Sequence, residues 1–170
     1  VKTQTRQLLV LRHAKAAGER GGADDFDRTL TKRGEKDAIM AGQEIRGRGW
    51  SPDLILCSTA RRTRSTLDLV LEVLGRDADG LVRYEDALYN ASFPTLLGFI
   101  RECPAKVSRL MIVGHNPALD HLVEWFSDTP PPRKENGKLM TTAALACLET
   151  SVAWADVSES CARLVDLLRP

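Results

Sequence analysis

Histidine is scarce in this chain: three residues in 170. Cysteine is nearly as rare, with Cys57, Cys103, Cys147 and Cys161 the full set. None of them forms a Cys-x-x-Cys pair, and their spacings fit neither a zinc site nor a small disulfide scaffold. Buried thiols in a reducing cytoplasm are the expectation. Long apolar runs are missing too. No stretch approaches the ~20 apolar residues of a membrane span. The polar start, Val1 to Gln7, lacks the apolar run of a signal peptide. These absences predict a soluble cytoplasmic protein with no membrane partner. Net charge is also nearly absent, at +1, so no whole-molecule field draws in nucleic acid. No internal repeat or low-complexity linker interrupts the chain.

What is present suits one buried core. Hydrophobic residues make up 43% of the sequence, enough for a single domain over 1–170. Leu8-Leu9-Val10-Leu11 reads as a buried strand that stops at Arg12-His13. Residues 14–30, rich in Gly, Ala and charge, read as a loop. Thr31 suits the cap of a helix to about Arg48, with Ala38, Ala41, Gly42 and Ile45 on its apolar face. Asp53 to Cys57 is a second strand, followed by a helix that buries Leu67, Val70, Leu71 and Leu74. A weaker strand runs from Leu81 to Tyr84. Ser92 and Pro94 mark a helix start, with Leu96, Leu97 and Ile100 inward. Leu110 to Val113 is another buried strand. Asn116 suits an N-cap and Pro117 the first turn of a helix that buries Leu119, Leu122, Val123 and Phe126. A polar loop spans 127–141, placed to gate a site, and two final strands fall near 143–148 and 161–168. The alternation predicts an α/β three-layer sandwich with a mainly parallel sheet.

Ligands of such sheets bind beyond the carboxyl ends of the strands. Arg12 and His13 follow the first strand. Ser58, Arg61, Arg62 and Arg64 follow the second. Gly114, His115 and Asn116 follow the strand at 110–113. Two of the three histidines thus fall at strand ends; His121 lies inside a helix and reads as structural. Guanidinium forks match phosphate oxygens two at a time. A neutral imidazole can attack phosphorus and hold the phosphoryl group, which makes His13 the candidate nucleophile. A second, protonated imidazole can donate to an equatorial oxygen. The helix start beside His115 favours an anion.

These residues resemble a known pattern. Leu11-Arg12-His13-Ala14-Lys15-Ala16 is similar to the Arg-His-Gly/Ala signature of the histidine phosphatase superfamily, which includes the phosphoglycerate mutases. Ser58 to Thr66 resembles that family's Ser-Pro-x-x-Arg-Ala-x-Gln-Thr segment, with Thr59 in place of Pro and Ser65 in place of Gln. Val113-Gly114-His115-Asn116-Pro117 resembles its second histidine motif. Asp27-Arg28-Thr29-Leu30-Thr31 with Arg33-Gly34, and Ala87 to Ser92, resemble segments of the small SixA-like phosphohistidine phosphatase branch. The resemblance implies a phosphoglycerate mutase-like fold and catalysis by His13, Arg12, Arg62 and His115. Arg28 and Asn116 would touch substrate. No cofactor is implied. Many members use a carboxylic acid to protonate the leaving group; here Glu85 and Asp86 are the nearest candidates. The implied partner is a protein carrying phosphohistidine, or else a small phosphorylated metabolite.

Three rival readings stand beside it. A cysteine-dependent phosphatase needs Cys-x5-Arg, but Thr63 sits six residues after Cys57. A metal site could draw on His13, His115, Asp24, Asp25 and Asp27, but the nearby arginines repel a cation, so no metal is expected. A regulatory module could keep the pocket without turnover.

Overall fold

The computed structural model describes residues 4–18 and 24–170. The middle of the expected loop over 14–30, and the first three residues of the polar start, lie outside them. Six strands form one sheet: β1 (Arg6–Arg12), β2 (Leu54–Ser58), β3 (Val82–Glu85), β4 (Arg109–Gly114), β5 (Leu145–Thr150) and β6 (Arg163–Leu168). Their order across the sheet is β3-β2-β4-β1-β5-β6. Strands β1 to β4 are parallel, and β5 runs antiparallel to both neighbours. The expected strands are thus all present, with no end shifted by more than two residues, the usual spread at element ends.

Four helices cover the sheet: α1 (Lys32–Gly47), α2 (Arg61–Leu74), α3 (Phe93–Arg101) and α4 (Ala118–Phe126). Strand residues point alternately to the two faces. Leu9, Leu11, Ile55, Met111 and Cys147 pack with Ala41, Ile45, Leu67 and Val70 of α1 and α2. Leu8, Val10, Leu110, Ile112 and Leu148 pack with Leu96, Ile100, Leu119 and Phe126 of α3 and α4. This is the three-layer sandwich that the sequence predicted. Full burial of each such side chain contributes about 1.5–3 kcal/mol.

The caps follow the sequence in two helices of three. Thr31 accepts from Gly34 N and opens α1, and Ser92 accepts from Thr95 N and opens α3. The third differs. Pro117, not Asn116, occupies the cap position of α4. The Asn116–Pro117 peptide is cis, and the Asn116 amide turns away to donate to Met140 O at 2.9 Å. The competing partner is the polar loop after α4, which the sequence could not bring alongside.

Candidate active site

Register decides what meets at the sheet's carboxyl edge. Arg12 of β1 pairs with Gly114 of β4, and Cys57 of β2 pairs with Val113. The next residues, His13, His115 and Ser58, therefore emerge together. His13 N donates to Gly114 O at 3.1 Å, and Ala143 N donates to His13 O at 3.1 Å. The two imidazole centroids lie 5.3 Å apart.

His13 is 8% exposed. Its Nδ1 lies 2.8 Å from Ala14 O. A carbonyl can only accept, so Nδ1 carries the ring proton and Nε2 keeps its lone pair. Burial, reinforced by the arginines Arg62, Arg12 and Arg28, lowers the His13 pKa to about 4. The ring is neutral at pH 7, as a nucleophile must be. The residue after it is fixed as well: Ala14 N donates to Thr66 Oγ1, which donates in turn to Arg62 O. One buried hydroxyl thus ties the His13 turn to the first turn of α2. Arg12 donates through Nη1 to Met140 O at 2.9 Å.

His115 is held from two sides. Nε2 lies 2.8 Å from Ser58 Oγ, and Nδ1 lies 3.3 Å from Arg62 Nη2. Arginine only donates, so Nδ1 accepts and Nε2 donates to the serine. Burial, then the neighbouring His13 and Arg62, lower the His115 pKa to about 3. Arg62 is 6% exposed. Its Nη1 donates to Asp25 O at 2.7 Å and its Nη2 to Asp25 Oδ2 at 3.1 Å. Tyr89 OH also donates to Asp25 Oδ2, at 2.7 Å. Arg28 donates to Asp25 Oδ1 at 3.1 Å and to Ala17 O at 2.8 Å. The hydrogen bond from Tyr89 above all, then those from the arginines, lowers the Asp25 pKa to about 2. The Tyr89 ring meets His115 edge-on at 5.7 Å.

The sequence-named residues divide accordingly. His13, Arg62 and His115 converge, and Arg28 joins them through Asp25. Arg12 and Asn116 share the Met140 carbonyl as acceptor. Glu85 is paired with Arg83 at 2.6 Å, and Asp86 accepts from Thr59 Oγ1 at 2.7 Å. Cys57 is fully buried, and burial pushes its thiol pKa up. His121 is exposed on α4. Among the described residues, no group of three or more His, Cys, Asp and Glu side chains gathers as metal ligands, and no helix is long and apolar enough to cross a membrane. Sequence reasoning missed the organising part of Asp25, Tyr89 and Met140. Tyr89 sat in a quoted segment and Asp25 was named only as a metal-ligand candidate, and nothing in their spacing announces that they meet.

The chain as a whole resembles known proteins. The sequence profile of the histidine phosphatase superfamily (branch 1) matches residues 8–102. An uncharacterized protein of Mycobacterium tuberculosis is 36% identical over 159 residues, which covers 91% of this chain and 96% of that one.

The chain belongs to the histidine phosphatase superfamily.

Solved structures of this superfamily overlay on it closely. One, from Nakamurella multipartita, is named a "putative phosphohistidine phosphatase SixA". It has a TM-score of 0.82 at 31% identity, covering 98% of this chain and 96% of that one. A second protein with that name, from Agrobacterium tumefaciens, has a TM-score of 0.78 at 31% identity, covering 97% and 98%. The phosphoglycerate mutase-like fold expected from the motifs is the fold observed. Superfamily membership also gives a physical reason for one motif letter. A Cβ on Gly34 would lie 2.2 Å from Lys15 O. That same carbonyl accepts from Thr31 N at 2.9 Å. The first turn of α1 is seated directly on the backbone that follows His13, and only glycine allows that approach.

Proposed function

We propose that this chain is a metal-independent phosphatase that works through a covalent phosphohistidine on His13, with phosphohistidine in a protein as its substrate. The observation that carries this reading is the His13 ring. Its Nδ1 proton is committed to Ala14 O, so the unshared pair of Nε2 is left for phosphorus.

In the proposed reaction, Arg12, Arg62 and Arg28 hold phosphoryl oxygens, and Asn116 lines the substrate side. Nε2 of His13 attacks phosphorus as the bond to the leaving group breaks. The phosphoryl group then sits on Nε2 until water attacks phosphorus and releases phosphate, restoring the free imidazole. His115 is neutral beforehand. A bound dianion raises its pKa, and once the Nη2 hydrogen of Arg62 turns from Nδ1 to a phosphoryl oxygen, Nδ1 takes up a proton and donates to an equatorial oxygen. The leaving group of a phosphohistidine is an imidazole whose other ring nitrogen can already carry a proton, so it departs neutral and the demand on an external acid is small. Where an acid is needed, Asp86 and Glu85 are the candidates. Asp86 accepts from Thr59, the residue next to Ser58. The two overlaying proteins named as phosphohistidine phosphatases support the substrate class.

Trapping tests it. A labelled phosphodonor should leave acid-labile, alkali-stable label on the protein and none on His13→Ala. Undiminished label on that variant overturns the mechanism. Faster turnover of a small phosphate ester than of a phosphohistidine peptide would move the substrate to a metabolite. No label and no turnover would leave a phosphate-binding module.

A further inference from the structure

The chemistry above uses Arg62 and Arg28 but leaves Asp25 without a part. Four hydrogen bonds from side chains nevertheless end on that residue. Arg62 contributes two, Arg28 one and Tyr89 one. They come from the turn before α1, from α2 and from the segment after β3.

We propose that Asp25 is a positioning residue: its carboxylate and carbonyl hold Arg62 and Arg28 in their phosphate-binding pose before substrate arrives. This rests on the phosphatase reading of the site. A free arginine side chain carries rotamer entropy, which is a cost if it must be ordered at the moment of binding. Asp25 fixes Arg62 by both terminal nitrogens. Held so, Nη2 also rests 3.3 Å from His115 Nδ1, and the guanidinium stays beside the imidazole pair. The same carboxylate reaches Arg28 through its other oxygen, so one anion sets two cations at a common spacing. A carboxylate suits this because it matches the planar fork.

Charge agrees with this role. Arg12, Arg28 and Arg62 bring three positive charges, Asp25 removes one, and both histidines are neutral. Two positive charges remain, the number that a phosphate dianion neutralises. Asp25 cannot be the missing proton donor, because a carboxylate facing three donor side chains has no proton to give. It could instead be a plug that phosphate must displace. The two roles predict opposite outcomes.

The test is Asp25→Asn, assayed on a phosphohistidine peptide and with inorganic phosphate as competitive inhibitor. Positioning predicts a fall in kcat of roughly 30- to 100-fold, with weaker phosphate inhibition and an unchanged melting temperature. A plug predicts undiminished kcat with lower KM, and that result overturns the proposal. So does a parallel loss of kcat, phosphate binding and thermal stability, which marks a merely structural residue. Should the variant not fold, Tyr89→Phe removes one Asp25 bond without changing charge. It should lower kcat about threefold at an unchanged melting temperature, and no fall overturns the proposal. The side-chain NMR signal of Arg62 gives an answer independent of catalysis. It should be sharp in wild type and broadened in Asp25→Asn, and equal sharpness overturns the proposal. If wild type itself neither turns over substrate nor takes label, the phosphatase reading has failed, while the Arg62 signal still reports on Asp25.

Discussion

Arg62 Nη2 lies 3.3 Å from His115 Nδ1, although the two residues come from α2 and from the loop after β4. A donor-only group against an imidazole nitrogen fixes which nitrogen is bare. It also puts a permanent positive charge beside the ring.

Arg62→Ala should lower kcat by about 10²- to 10³-fold, the usual loss when one transition-state donor is removed. Arg62→Lys should recover little of this, because an ammonium cannot span Asp25 and a phosphoryl oxygen together. Steady-state kinetics of both variants check it. A lysine variant near wild-type rate would reduce the fork to a point charge.

Ser58→Ala removes the partner of His115 Nε2 and also the acceptor of Ala60 N. With the ring free to turn, kcat should fall roughly tenfold. Loss of a buried hydrogen bond should cost about 1–3 kcal/mol of stability. Denaturant melts and rates on one preparation measure both. Unchanged rates would show that Arg62 alone orients the ring.

Acid should act on rate and stability in one direction. His13 and His115 have folded pKa values near 4 and 3, below the ordinary 6.5. Between about pH 4 and 6.5 the unfolded chain binds more protons than the folded one, so stability falls as pH falls. Above that window these groups leave stability flat. A drop in Tm on the order of 5–10 °C is expected between pH 7 and 4.5. The free-enzyme limb of kcat/KM should fall only near pH 4, as His13 protonates. A limb at pH 6.5 would mean that His13 is not shielded.

Cys57 should be silent in catalysis. The thiol is buried and its pKa is raised, so thiolate is scarce at neutral pH. Cys57→Ser should retain activity within about threefold, and iodoacetamide should not inactivate the folded protein. Complete inactivation by either would revive a cysteine nucleophile.

Excess chelator should leave turnover unchanged. The arginines around His13 and His115 disfavour a bound cation. Loss of activity in chelator, restored by a divalent metal, would count against the proposed chemistry.

Much of this was legible in the sequence because strand ends announce themselves. Leu8 to Leu11 and Leu110 to Val113 are apolar runs that stop abruptly, and the residues after them face one crevice in any parallel sheet. The same logic found the cluster Arg61, Arg62 and Arg64 at the start of α2, and the family resemblance singled out Arg62 within it. Asp25 was hidden for the opposite reason. It belongs to a one-turn segment, Asp25–Asp27, set by tertiary contacts with Arg62 and Tyr89 rather than by local periodicity. Asn116 misled because its side chain is a good cap in isolation, and Met140 O outcompeted the helix for its amide.

The Met140 peptide unit has a consequence of its own. Its carbonyl accepts from Arg12 and Asn116, and its N–H donates to Asp120. All three contacts are made by main chain, so they ask nothing of the side chain at position 140 beyond the apolar character its burial in the core demands. What the hydrogen bonds constrain is length and path. A single inserted or deleted residue near 140 would pull Arg12 out of line.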